Sequence, residues 1–418
     1  MWAAGLVVFA LVAVTLVVLL NRPQQAVLPT SQASTNQSST VSSDTRGYEA
    51  AALLQRLTTL LESGRRSQVE ALADPGDPSA RQELGTIFDN VRATGVTDLS
   101  MRYVDEDTGA LASDGQSPTG ADEWVGDVSL TWRLRGFDRS DSTMNVTLTF
   151  AQEKHAAGFV TAVGDYGDAV PLWLLEPVAV ERNGRSMVMV ADRTEAKKYA
   201  ALAAHAVSDV RKVLPDWRGK LVIEVPQTGA DISRLLNADP STYANIAAVT
   251  TTVDGSSSPS APTHIFVNPT VFDKLGPEGS QIVISHEATH VATHAATSSM
   301  PMWLIEGFAD YVALDHVNLP VTVTASQILA QVRKQGVPSH LPGPKEFNTE
   351  NKALGSSYEA AWLACRLLSQ KYGEQKLIEF YRQSDRDSST DRAFRDVLGT
   401  TQQAFTREWQ QYLLRLAH

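Results

Sequence analysis

Apolar positions recur along this chain with two different periods, and the switches between them divide it. Residues 48–72 carry Leu53, Leu54, Leu57, Leu60 and Leu61, a three-and-four spacing that predicts an amphipathic helix, and 80–94 predict a second. Alternation then takes over, so that 99–103, 127–134, 143–150 and 172–180 read as strands. The last of these reaches 186–190 through Arg182-Asn183-Gly184-Arg185, an Asn-Gly hairpin signal. A helical period returns over 193–214, with Ala200, Ala201, Ala203 and Ala204 in its turns. Strands are predicted at 220–225 and 246–253, followed by an exposed Ser/Pro-rich loop at 255–262. A further strand, 264–269, is stopped by Pro269. Beyond Tyr311 the pattern is mainly helical, over 326–334, 355–372, 374–383, 391–398 and 401–416.

The segments outside these periods set the domain plan. Residues 1–20 hold no charge and are rich in Val, Leu and Ala, long enough to span a bilayer. They lack the basic start and small-residue cleavage site of a signal peptide, so an uncleaved transmembrane anchor is expected. Residues 21–47 are dominated by Ser, Thr and Gln and have little to pack, which makes them a flexible tether. Residues 48–192 form an α+β module; two helices followed by an antiparallel meander resemble the nuclear-transport-factor-like cone fold. A second domain is expected from 193 to 418.

Composition narrows the function classes. The net charge of −11 argues against a nucleic-acid partner, and no Lys/Arg-rich run contradicts that. The single cysteine, Cys365, cannot form an internal disulfide and lies in an apolar helical pattern, where it reads as core. Asp105, Glu106 and Asp107 do not have EF-hand spacing and read as a solvated loop.

The chemistry concentrates between residues 282 and 311. His286-Glu287-Ala288-Thr289-His290 is an H-E-x-x-H sequence inside an apolar, helix-compatible run. Residues four apart project from one helix face, so His286 and His290 can grip one metal ion, with Glu287 beside it to act on a water. Two imidazoles suit Zn²⁺, and a catalytic site needs a third protein ligand and an open position. Pro301-Met302-Trp303-Leu304-Ile305-Glu306-Gly307 begins a new helix and offers Glu306 as that ligand. Asp310, four residues on, shares its face and can accept the spare N–H of a ligand histidine. His294 extends the ladder, but on a continuing helix it would stand about 12 Å along the axis from His286, too far to share an ion.

With its H-E-x-x-H followed by W-L-x-E-G-x-A-x-Y, the stretch from about 264 to 372 resembles the gluzincins, the thermolysin-like clan of zinc peptidases, most nearly the aminopeptidase N branch. The resemblance implies a zinc-dependent peptidase acting on a peptide or protein substrate, and the stretch 1–20 would make it membrane-anchored. His286, His290 and Glu306 would be the ligands, Glu287 the general base, and the subdomain after the metal helix α-helical. It further implies that strand 264–269 is the edge strand pairing with substrate backbone, and that Tyr358, at the opening of a later helix, donates to the oxyanion, with His316 and His340 as alternatives. Two departures matter. No Gly-x-Met-Glu-Asn sequence for binding a free amine occurs between Lys220 and Gln281, and only fifteen residues separate His290 from Glu306. An endopeptidase is therefore expected rather than an aminopeptidase. A tether and a peptidase fit the extracytoplasmic side, although Arg22, the one flanking charge, taken alone points the other way. The alternative is an inactive zinc-containing scaffold whose N-terminal module binds a ligand or partner.

Overall fold

The computed structural model describes residues 40–107, 123–153, 156–160, 169–315, 317–348 and 351–418. The expected anchor at 1–20 and most of the tether lie outside the described residues. Among the described residues, no helix is long and apolar enough to cross a membrane. The fold is α+β, with two sheets.

Helices α1 (Thr40–Ser63), α2 (Arg66–Glu70) and α3 (Pro78–Thr94) open the described chain. α3 is set by local chemistry: the Asp77 carboxylate accepts from the Ser79 and Ala80 amides, Pro78 fills the first turn, and Gly95 ends the helix at φ 70°. Strands β1 (Val96–Glu106), β2 (Glu123–Leu134), β3 (Ser142–Glu153) and β4 (Ala156–Val160) then form an antiparallel meander in sequence order. Asp105 and Glu106 are part of β1 rather than a loop, and Glu106 pairs with Arg46 at 3.2 Å.

The expected strand over 172–180 is two elements. Leu172–Leu175 is a short helix, α4, and the strand β5 is confined to Ala179–Arg182. Leu172, Trp173 and Leu174 are consecutive and all buried, and a run apolar on every side carries no period that separates strand from helix. The hairpin from β5 to β6 (Ser186–Val190) forms as expected, held by the Asn183 side-chain oxygen accepting from the Arg185 and Ser186 amides.

After α5 (Ala196–Val213) come β7 (Leu221–Val225), α6 (Asp231–Leu236), β8 (Ala248–Thr252) and β9 (Thr263–Val267). The second sheet has the order β5-β6-β7-β9-β8. It takes in β5 and β6, so the boundary expected at 192/193 cuts through it. β9 is paired on both sides, parallel to β7 and antiparallel to β8, and among the described residues β5 and β8 are the two edge strands. The edge-strand expectation for 264–269 is thus corrected: β9 inserts between β7 and β8, which follow one another in sequence, and leaves β8 outermost, an order that no local pattern encodes.

Both faces of this sheet are covered. Val188, Val190, Ile223, Val225, Ile265 and Val267 pack into one core with the following helices. Met187, Met189, Val222, Val249 and Phe266 pack into a second core shared with α1, α3 and the meander. Parallel strands buried on both faces read as unbroken apolar runs. The chain closes with α7 (Pro269–Phe272), α8 (Pro277–Thr293), α9 (Met302–Ala313), α10 (Val321–Thr324), α11 (Ser326–Gln335), α12 (Leu354–Tyr372), α13 (Glu374–Asp387), α14 (Asp391–Asp396) and α15 (Gln402–Ala417).

Candidate metal centre

α8 lies against β8 and β9 on one side and α5 and α9 on the other, so residues 279–291 apart from Gln281 are buried all round. A helix this apolar is driven by packing; each fully buried Val, Leu or Ile side chain contributes about 1.5–3 kcal/mol. It stops at His294, which adopts the left-handed conformation at φ 55°. The ladder of histidines therefore ends structurally at His290.

α9 is placed by the apolar letters of its own sequence. Trp303 is 2% exposed and packs on Phe380 and Phe405, with ring centroids 6.3 Å away in both cases. Gly307 faces α12 so closely that a Cβ there would stand 2.3 Å from the Ala361 carbonyl oxygen. Glycine at 307 lets the two helices approach, and Tyr311 ties the far end by donating to Glu374 at 2.9 Å.

These two helices bring the side chains together. Nε2 of His286 and Nε2 of His290 are 2.9 Å apart, and Glu306 Oε2 lies 3.2 Å from the first and 3.4 Å from the second. All three residues are buried, their ligand atoms lie within 4.8 Å of one another, and the group could hold one metal ion. Asp310 Oδ1 is 2.7 Å from His286 Nδ1. An ionised carboxylate can only accept, so Nδ1 carries the proton and the neutral ring turns a lone pair at Nε2 toward its partners. Glu306 Oε1 and His290 Nδ1 have no hydrogen-bond partner among the described residues.

The electrostatics are those of a cluster drawn together by opposite charge. Burial works against a charged His286, but Asp310 and Glu306 outweigh it and raise its pKa well above the ordinary imidazole value. Burial likewise acts to raise Glu306, yet His290 and His286 prevail and lower it. For Asp310 burial dominates and raises the pKa. A proton and a metal ion compete for the same Nε2 lone pair, so ion binding to the imidazolium form would release a proton.

The sequence was compared with protein-family models, with curated proteins and with solved structures. Nothing matches. The residues themselves must carry the reading.

Glu287 is fully buried next to the cluster, and its Oε2 accepts from Thr250 Oγ1 on β8 at 2.7 Å. Tyr358, near the start of α12, is 5% exposed, with its ring centroid 6.2 Å from that of His286 and edge-on to Phe347. His340 is on the surface, its ring meeting the Leu341 carbonyl and Glu346, and His316 lies outside the described residues. Cys365 is buried in α12 and burial raises its thiol pKa well above the ordinary value, consistent with a core residue. Thr250 is not legible in the sequence: one of three consecutive Thr in Ala248-Val249-Thr250-Thr251-Thr252 carries no signal until β8 is laid against α8.

Proposed function

We propose that the protein is a membrane-anchored, zinc-dependent peptidase, and the convergence of two Nε2 atoms and a Glu306 oxygen beside the buried Glu287 carries this reading. Bonds of about 2.0–2.1 Å around tetrahedral Zn²⁺ put neighbouring ligand atoms about 3.3 Å apart. The separations here, 2.9, 3.2 and 3.4 Å, bracket that value. The orphaned Glu306 Oε1 and the lone pair that Asp310 directs to His286 Nε2 also fit a dication. Three protein ligands leave a fourth position open to solvent or substrate. When bound, zinc supplies an acidified water and a polarised carbonyl at one point.

The chain's own groups then divide the work. Glu287 takes a proton from the attacking water and hands it to the leaving amine. Tyr358, beside His286, is the proposed donor to the developing oxyanion. The open edge of β8 offers backbone N–H and C=O groups to an extended peptide. With no amine-binding sequence ahead of the metal helix, an endopeptidase is favoured over an aminopeptidase. The uncharged stretch 1–20 would anchor it, with the catalytic domain on the extracytoplasmic side.

Metal analysis of the full chain, purified without chelators, should find about one Zn²⁺ per molecule, and the protein should cleave members of a proteome-derived peptide library. Glu287→Gln preserves shape, so the ion should stay while cleavage falls by about 10²–10⁴-fold. A metal-free wild type, or a Glu287→Gln variant of full activity, overturns the reading.

A further inference from the structure

The two oxygens of Glu287 have unlike surroundings. Oε2 is 2.7 Å from Thr250 Oγ1, whereas Oε1 is buried and has no hydrogen-bond partner among the described residues. Thr250 is 2% exposed and sits on the edge strand β8, which packs on α8. Its hydroxyl has a single proton to give and two acceptors in reach, since the Glu287 carbonyl oxygen is 3.1 Å away. That carbonyl is in mid-helix and takes the amide proton of the residue one turn on. The carboxylate is nearer and charged, and a charge-assisted bond is the stronger. The Thr250 proton therefore goes to Oε2.

We propose that Thr250 is a positioning residue that fixes the Glu287 carboxylate with Oε1 presented to the attacking water. The proposal rests on the peptidase reading. In the reaction, Oε1 takes one proton from water as the water oxygen bonds to the carbonyl carbon. It gives that proton to the amine nitrogen as the C–N bond breaks, and the carboxylate is regenerated. Oε2 stays with Thr250 through both transfers. Without that bond the terminal torsion of a glutamate is broad, and the carboxylate would spend its time in orientations that miss the water. The same hydroxyl also ties the carboxylate to β8, the strand on which α8 already packs.

The test uses Thr250→Val, which keeps the shape and removes the donor, and Thr250→Ser, which restores it. With zinc content and melting temperature checked in each, Thr250→Val should lower kcat by about 10–100-fold with KM unchanged, and Thr250→Ser should recover most of the loss. Crystal structures of the zinc-loaded variants should find the Glu287 carboxylate rotated in Thr250→Val and back in place in Thr250→Ser. Full kcat in Thr250→Val, a change confined to KM, or a Ser variant as impaired as the Val variant overturns the assignment while the peptidase reading stands. A wild type that cleaves nothing removes the peptidase reading instead, and the crystal structures then decide this one: an unmoved carboxylate in Thr250→Val overturns it.

Discussion

Two buried histidines of this protein each face two carboxylates, and they have opposite chemistry. His286 has Asp310 on Nδ1, and on Nε2 it meets both Glu306 and a second imidazole. His264, on β9, has Glu224 on Nδ1 at 2.6 Å and Asp138 on Nε2 at 3.0 Å. Around His264 the partners stand on opposite sides of the ring, so no point exists where their lone pairs meet with that of the imidazole. Around His286 one side is used to orient the ring and the other is left for convergence. Counting charges would not separate the clusters; the direction of lone pairs does. Asp138 follows β2 in the N-terminal module, and Glu224 is on β7 of the second sheet, so His264 is a clamp between the two units. Burial acts to lower its pKa, but Asp138 and Glu224 outweigh this and lift it to about 9, which makes it an imidazolium donating from both nitrogens at neutral pH.

Three changes sharpen the contrast. Glu306→Ala should have the largest effect, taking bound metal from about one equivalent to nearly none, because two histidines alone do not complete a site. Elemental analysis reads this directly, and retained metal would mean that Glu306 is no ligand. His264→Gln should leave metal content unchanged and lower stability by about 3–5 kcal/mol, the usual result of removing one partner from a buried charged group. The sign of its pH dependence follows from the raised pKa. The stabilisation is complete below the unfolded value of about 6.5 and is lost as pH rises through about 9. Denaturant melts across pH 6 to 10 should therefore slope downward in wild type by up to about 1.4 kcal/mol per pH unit and lose this component in the variant. Equal slopes would remove the clamp. Asp310→Asn should act least, weakening metal affinity or activity by about 10–100-fold through a loosened His286. Titration with a competing chelator measures it, and wild-type affinity together with wild-type activity would show that Asp310 does not orient the ring.

The clamp also bears on the role of the N-terminal module. Met187, Met189, Val222 and Phe266 of the second sheet share their core with Leu54, Leu57 and Ile87 of the module. Ser140 donates to the Ser260 carbonyl, and Lys220 donates to that of Gly136 at 2.5 Å. The module covers the sheet face opposite α8. Cutting the chain at 192 would strip β5 and β6 from the sheet and expose that face to water, so residues 193–418 are not a self-contained folding unit.

Sequence alone determined the two halves of the group that could hold a metal ion, because each is written within a single helix. His286 and His290 are one turn apart, Glu306 and Asp310 are one turn apart, and helix geometry puts each pair on one face without help from the rest of the chain. Trp303, Gly307 and Tyr311, in the same short stretch, supply the packing that sets one helix against the other. The meander was legible for a similar reason, as alternation over single strands survives in β1, β2 and β3. What only the tertiary structure decided is what depends on partners far along the chain. Thr250 meets Glu287 across 37 residues, and His264 meets Asp138 across 126. The order β7-β9-β8 and the entry of β5 and β6 into the second sheet are of the same kind. A strand's neighbours, and hence which strand is left at the edge, are chosen by the burial of whole faces, and no single segment contains that choice.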